Sequence, residues 1–514
     1  MEDVRKYRKE SIVTNRHHEP LGKVRTKIVA TIGPASRDPA VLKSLVEAGV
    51  DVFRLNFSHG THAEHTEVLN AIRAAADAVG HQVAVLQDLC GPKIRLGKLP
   101  DDVIECALNA EFLLTSEIEP NGPNELTCSY RELAHDLEVS QAVLFADGAV
   151  AMEVVARDEK GARLRVTLPG RIRSKQGINI PGAALSVAAL TDKDIEDLDW
   201  TAKHSVEYVG LSFVRSADDI VQLRNELQAR GCRARIVAKI EKPQAVANLD
   251  AIIDETDAVM VARGDLGVEL DVERVPAVQK QIIRACHHAR IPVITATQML
   301  NSMESSSRPT RAEATDVFNA VLDGTDAVML SGETAIGAYP VEAVATMSRI
   351  ASEAENLLFS EKFYPGALSR SFAEAVALGV GEADANHVAP AGMLTVVTES
   401  VVQSASLLSR HLNAAQIVVA TFSGRTALVL SKQRNATPTL ALATDLNTVR
   451  AMALYWGVTP LHVQRMTEAQ QALVYADGWC RERGMIAPGD HVVLIRGLIP
   501  DNPTHNAIFV HVVE

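Results

Sequence analysis

The stretch "RIVAKIEKP", residues 235–243, alternates like a strand and carries Lys239 and Glu241 two residues apart. Side chains point to opposite faces in turn, so Val237, Lys239 and Glu241 share one face while Ile236, Ala238 and Ile240 share the other. One face is apolar, and the other finishes in an ion pair. Charges buried without partners or a metal are costly, so the placement of Lys239 and Glu241 asks for a role beyond stability.

Outward from this stretch one unit repeats: a short run of Val, Ile and Leu, a polar terminus, then an Ala- and Leu-rich segment with helical spacing. The strands expected from it are "KIVATIG" (27–33), "VDVFRLNFS" (50–58), "QVAVLQDL" (82–89), "YVGLSFV" (208–214), "RIVAKIE" (235–241), "AVMVARG" (258–264), "PVITATQ" (292–298) and "AVMLSGE" (327–333). Eight such units predict an α/β fold, a closed (β/α)8 TIM barrel rather than an open sheet. The spacing breaks between the third and fourth strands, where "AVLFADGAVAMEVV" and "ARLRVTLPG" alternate between turns and predict a small inserted β-barrel lid. Further βα units, with "GMLTVVT", "QIVVATFSG", "PTLALAT" and "DHVVLIRG", predict a separate C-terminal α/β domain. The expected division is a polar N-terminal arm over 1–22, the barrel over 23–91 and 188–358, the lid over 92–187 and the last domain over 359–514.

Composition narrows the functions. A chain of 514 residues with 47% hydrophobic and 22% charged residues is that of a globular protein of several domains. A formal net charge of -13 argues against nucleic acid or an anionic membrane as the main partner. Cys90, Cys106, Cys128, Cys232, Cys286 and Cys480 are scattered, which suggests neither a zinc site nor a disulfide framework and fits a reducing cytoplasm. Residues 1–22 lack the apolar core of a secretion signal, and no stretch reads as a membrane span.

Barrel enzymes carry their chemistry at the C-terminal ends of the strands, and the polar residues here collect there. In strand order they are Arg54, Asn56 and Ser58, then Asp88, Ser212, Lys239 with Glu241, Arg263 with Asp265, Thr297 and Glu333. Taken singly, each passes as a solvated strand end or a satisfied core pair. Together they describe a mouth with two carboxylates suited to a hard divalent ion, cations suited to phosphate and a hydroxyl able to relay a proton. Glu241 and Asp265 could each give Mg2+ one carboxylate oxygen; the plainer alternative is that Lys239 and Arg263 simply hold them. "ARGDLG" adds a glycine-rich turn ahead of the next helix, whose backbone N–H groups could meet an anion.

With these residues assembled, the chain resembles the pyruvate kinase family from about residue 23 onward, through "KIVATIGPAS", "RLNFSHG", "QDLCGPKIR", "AKIEKP", "ARGDLG", "ATQMLNSM", "RPTRAEATDV" and "MLSGETA" in order. The resemblance implies phosphoryl transfer from phosphoenolpyruvate to ADP, giving pyruvate and ATP in glycolysis. It implies that Lys239 offsets charge on the transferring phosphoryl group, that Glu241 and Asp265 hold Mg2+ (or Mn2+), and that Arg54 clamps the phosphate. It places the substrate carboxylate against Ala262, Arg263, Gly264 and Asp265, Thr297 on the proton path to carbon, and Asn56, His59, Arg95 and Lys175 toward the nucleotide. Members of the family are usually homotetramers.

Two departures matter. Asn56, Ser58, Asp88 and position 89 correspond to the K+ ligands of many members, yet this chain has Leu89, Cys90, Lys93 and Leu96, like the K+-independent branch. A lysine ammonium at Lys93 can supply the charge that K+ would bring, unless it is only a solvated hinge residue. In the last domain, Thr421, Ser423, Gly424, Arg425 and Thr426 resemble the family's pocket for a phosphorylated effector, although an ordinary N-capped helix would read alike. The loop "RGLIPDNPTHNAIF" departs from the glycine-rich family versions, leaving fructose bisphosphate, a sugar monophosphate and AMP open. Other readings are a Mg2+-dependent lyase or aldolase acting on a pyruvate enolate, which would not need Lys175 or Arg95, and a catalytically silent effector-binding protein.

Overall fold

The computed structural model describes residues 24–117, 120, 122, 124–182, 188–360, 396–464, 469–497 and 506–514. The expected N-terminal arm and residues 498–505 of the last loop lie outside these. All eight expected barrel strands form, as Lys27–Thr31, Val52–Asn56, Ala84–Asp88, Tyr208–Leu211, Arg235–Ile240, Ala258–Ala262, Val293–Ala296 and Ala327–Leu330. Each pairs in parallel with the next, and the first also pairs with the eighth, so the sheet closes on itself. Among the described residues no helix is long and apolar enough to cross a membrane.

Strand alternation sorts the core into two layers. Val29, Val52, Leu86, Tyr208, Val237, Met260, Ile294 and Met329 pack inside the barrel. Ile28, Phe53, Leu55, Ile236, Ala238, Ile240 and Val261 pack outward among the helices. The helices start where the sequence offers caps: Thr61 with Glu64, Thr191 with Asp194, and Thr310 with Glu313 each form a reciprocal capping box.

Between the third and fourth barrel strands, a six-stranded sheet and a two-stranded ribbon curl around a separate core that includes Leu114, Phe145, Met152, Leu164 and Ile172. The C-terminal domain is a five-stranded sheet in the order Val458–His462, Thr439–Ala443, Gln416–Ala420, His491–Arg496, Ala507–Val512, parallel except for its last pair. One expected strand is corrected here. Of "GMLTVVT", residues 396–398 open the helix Val396–His411, whose buried Thr398, Val402, Ala405, Ser406 and Ser409 recur every three or four residues.

The C-terminal domain closes the N-terminal end of the barrel. Barrel-interior side chains and Met452, Leu454 and Tyr455 form one apolar cluster. Around it, Tyr208 Oη donates to the Ala451 carbonyl at 2.7 Å, and Arg235 reaches Tyr455 Oη at 2.6 Å and the Ser423 carbonyl at 3.2 Å. Asp326, fully buried at the start of the eighth strand, takes Lys432 at 2.5 Å and Arg434 at 3.0 Å from the other domain. Burial alone would raise the Asp326 carboxyl; the two cations outweigh it and hold the group below the usual carboxylate range.

Removing one partner of a buried ion pair leaves an uncompensated charge, at a cost of about 3 kcal/mol or more. Lys432→Met should therefore lower the thermal midpoint by several degrees, and adding Asp326→Asn should restore part of the loss. Thermal unfolding of the two variants checks this, and a single variant melting within about 2 °C of the parent would remove the ion pair as a stabilising element.

Candidate active site

The C-terminal mouth of the barrel gathers its charges around Asp88, the last residue of the third strand. Arg54, two strand positions before the end of the neighbouring strand, donates to Asp88 through Nε at 2.7 Å and Nη2 at 2.6 Å. Its Nη1 reaches the hydroxyl of Thr31 at 3.0 Å. From the other side Lys239 Nζ lies 3.2 Å from Asp88 and 2.9 Å from Glu241, and donates to Ser212 Oγ at 2.7 Å. Lys239 is 9% exposed and Glu241 1%. Burial disfavours the Lys239 ammonium, but Asp88 and Glu241 outweigh it and hold the lysine above its ordinary value, so it stays protonated. Asp88 is held below the ordinary carboxylate range, because Lys239 and Arg54 overcome its own burial.

Glu241 behaves in the opposite way. Burial and then the nearby Asp265 carboxylate push its carboxyl upward, against Lys239 and the Phe213 N–H. That N–H donates to Glu241 at 2.8 Å from a residue in the left-handed region, with φ of 57°. A buried carboxylate whose proton affinity is raised, with a second carboxylate close by, is relieved by a cation, and an all-oxygen pair suits a hard ion such as Mg2+. Among the described residues there is no cluster of three or more His, Cys, Asp or Glu side chains placed to hold a metal, as a closed zinc-type site would require.

Asp265 is also approached by Lys93, whose ammonium lies 3.5 Å from its carboxylate. The Leu89 side chain is buried among apolar neighbours, and its carbonyl accepts from Ser212 Oγ at 2.7 Å. Asn56 Oδ1 accepts from the Ser58 N–H at 3.1 Å. Instead of a free glycine-rich turn, "ARGDLG" runs from the strand end at Ala262 straight into the helix Arg263–Glu269. The Gly264 N–H donates to Thr297 Oγ1 at 2.7 Å. The Arg263 side chain does not join the mouth cations; it bonds the Ala296 and Thr297 carbonyls and Asp316. Glu333 is likewise structural, buried and accepting from the Leu300 and Ser331 N–H groups.

On the inserted domain, Arg95 Nη1 donates to the Lys175 carbonyl at 3.3 Å, so these two expected residues meet. His59 is exposed, and its carbonyl bonds His65 Nε2. In the C-terminal domain, Gly424, with φ of 80°, precedes the helix Arg425–Lys432 and donates its N–H to Thr421 Oγ1 at 3.1 Å. A side chain at 424 would press on Met452 as well as strain the backbone. Ser423 and Arg425 are exposed, whereas Thr426 is buried. Sequence reasoning passed over Thr31, although its place two residues after Val29 puts it on the inward face at the mouth.

The fold is a (β/α)8 barrel whose mouth brings buried cations beside a carboxylate pair, and its similarity to known proteins makes it a phosphotransferase. The family pattern described as pyruvate kinase, barrel domain, matches residues 23–344, and that described as pyruvate kinase, alpha/beta domain, matches residues 399–511. Among curated relatives, pyruvate kinase 2 of Synechocystis sp. is 42% identical over 482 residues, covering 92% of this chain and 77% of the relative. The pyruvate kinase of Geobacillus stearothermophilus is 38% identical over 496 residues, covering 96% and 81%. The crystal structure of a pyruvate kinase from Cryptosporidium parvum superposes with a TM-score of 0.87 at 33% identity, covering 96% of this chain and 97% of that one. The chain belongs to the pyruvate kinase family.

The raised Glu241 carboxyl has a sign that can be measured. Between the unfolded-state value, about 4.3, and the higher folded value, the native state binds more protons than the unfolded one, so this group's contribution to stability falls as pH rises. Glu241→Gln should remove that loss, and the metal-free variant should melt no lower than the parent at pH 7 to about 8. Thermal unfolding across pH checks it; a clearly lower midpoint would mean that the ionised Glu241 is net stabilising.

Proposed function

We propose that this protein transfers the phosphoryl group of phosphoenolpyruvate to ADP, giving pyruvate and ATP in cytoplasmic glycolysis. The observation that carries the reading is Lys239, held by Asp88, Glu241 and Ser212 at the barrel mouth beside Arg54. An ADP β-phosphate oxygen attacks the phosphorus, the bond from phosphorus to the enol oxygen breaks, and the enolate left behind is protonated at carbon. Lys239 stabilises negative charge on the equatorial oxygens and Arg54 clamps the phosphate. Because Lys239 is held in its charged form by two carboxylates, it serves as a fixed cation, and the proton comes by another route, through Thr297 and water.

Glu241 and Asp265 would hold Mg2+, with Mn2+ as a substitute, and the bound ion would supply positive charge to the phosphate and the enolate oxygen. The backbone from Ala262 to Asp265 receives the substrate carboxylate. Asn56, His59, Arg95 and Lys175 face the nucleotide, with the inserted domain over 92–187 acting as a lid that excludes water. The proximity of Arg95 and Lys175 supports a nucleotide substrate over a lyase or aldolase, which would need neither. The Lys93 ammonium beside Asp265 supports independence from K+, since a fixed cation already stands at the mouth. A phosphorylated effector would bind at the loop from Thr421 to Thr426, and the assembly would be the homotetramer usual in the family.

ATP formation from phosphoenolpyruvate and ADP with Mg2+ should proceed with little K+ stimulation at saturating substrate. Lys239→Ala, with its fold checked by circular dichroism, should lose about 10³-fold in kcat. Near-normal phosphoryl transfer by that variant would sink the assignment of Lys239, and a strong saturable K+ requirement would sink that of Lys93.

A further inference from the structure

Immediately after the seventh barrel strand the backbone turns left-handed at Thr297 and Gln298, with φ of 68° and 53°. For a β-branched residue this is a strained conformation that persists only when its surroundings impose it. The strain has a use: it aims the Thr297 hydroxyl so that it accepts from the Gly264 N–H at 2.7 Å while donating to the Ala296 carbonyl at 2.7 Å. That leaves the hydroxyl fixed against the segment proposed to receive the substrate carboxylate.

Arg263 bonds to this turn. Its Nη2 donates to the Thr297 carbonyl at 2.6 Å and its Nε to the Ala296 carbonyl at 3.2 Å, so one planar fork grips two consecutive carbonyls across the turn. Its Nη1 is tied at 2.8 Å to Asp316 on the helix Arg311–Leu322, and the side chain is only 10% exposed. A lysine would carry the charge without the fork.

We infer that Arg263, anchored by Asp316, is a positioning residue that holds the Thr297 hydroxyl in register for proton transfer at carbon, rather than a contact of the substrate. This rests on the reading that Thr297 belongs to the proton path. The brace acts on a backbone turn, so its loss weakens protonation and deprotonation at carbon more than phosphoryl transfer or substrate binding.

The test is exchange of the pyruvate methyl hydrogens with D2O, followed by NMR in the presence of Mg2+ and inorganic phosphate, alongside ATP formation. Arg263→Lys should slow exchange by about 10²-fold, raise the solvent isotope effect on kcat, and change the KM for phosphoenolpyruvate by less than about threefold. Asp316→Asn, which keeps a neutral hydrogen-bond partner, should fall between it and the parent, and keeps the proposal testable if Arg263→Lys folds poorly. Combining Arg263→Lys with Thr297→Val should add little to Thr297→Val alone, because both act through one hydroxyl. Unchanged exchange in both brace variants, or a large rise in KM with exchange and transfer falling equally, would overturn the inference. Unchanged exchange in Thr297→Val would instead overturn the proton-path reading beneath it.

Discussion

Asp88 stands between two cations that would otherwise repel each other in a nearly dry site, and most of the mouth is arranged around it. Arg54 approaches it from the adjacent second strand and Lys239 from the fifth, across the fourth, and each then has a second partner that fixes its direction, Thr31 for the arginine and Glu241 with Ser212 for the lysine. The result is a buried cluster in which two carboxylates answer two cations. A phosphorylated, carboxylated substrate arriving alone would upset this balance. On the proposed reading, a divalent ion entering with it would restore the balance, which would couple substrate and metal electrostatically.

Much of this was legible because closed barrels obey a short-range rule. Alternation along "RIVAKIEKP" separates the inward Val237 from the outward Ile236, Ala238 and Ile240, as the packing shows. The same parity brings Arg54, Asp88 and Lys239 together, since register in a parallel barrel aligns strand ends. What escaped depends on information outside a strand. The direction of Arg263 is set by carbonyls and a carboxylate on segments far along the chain, and composition cannot say whether a guanidinium at a strand end faces substrate or scaffold.

The C-terminal domain was harder for a related reason. A short apolar run such as "GMLTVVT" suits a strand or one face of a buried helix, and only the longer period beyond residue 398 distinguishes them. The strand Val458–His462 was obscured by Pro460, which is tolerated because this is an edge of the sheet, where a missing N–H breaks no ladder.

The junction at the base of the barrel bears on how such a chain can evolve. Asp326 lies in the catalytic barrel, but both of its cations come from the C-terminal domain, and the barrel's inner apolar packing continues into that domain. A lineage can vary the exposed residues around Gly424 by point substitution. It cannot discard the domain without exposing an apolar floor and stranding a buried carboxylate, so the two units are inherited together whatever else the domain does.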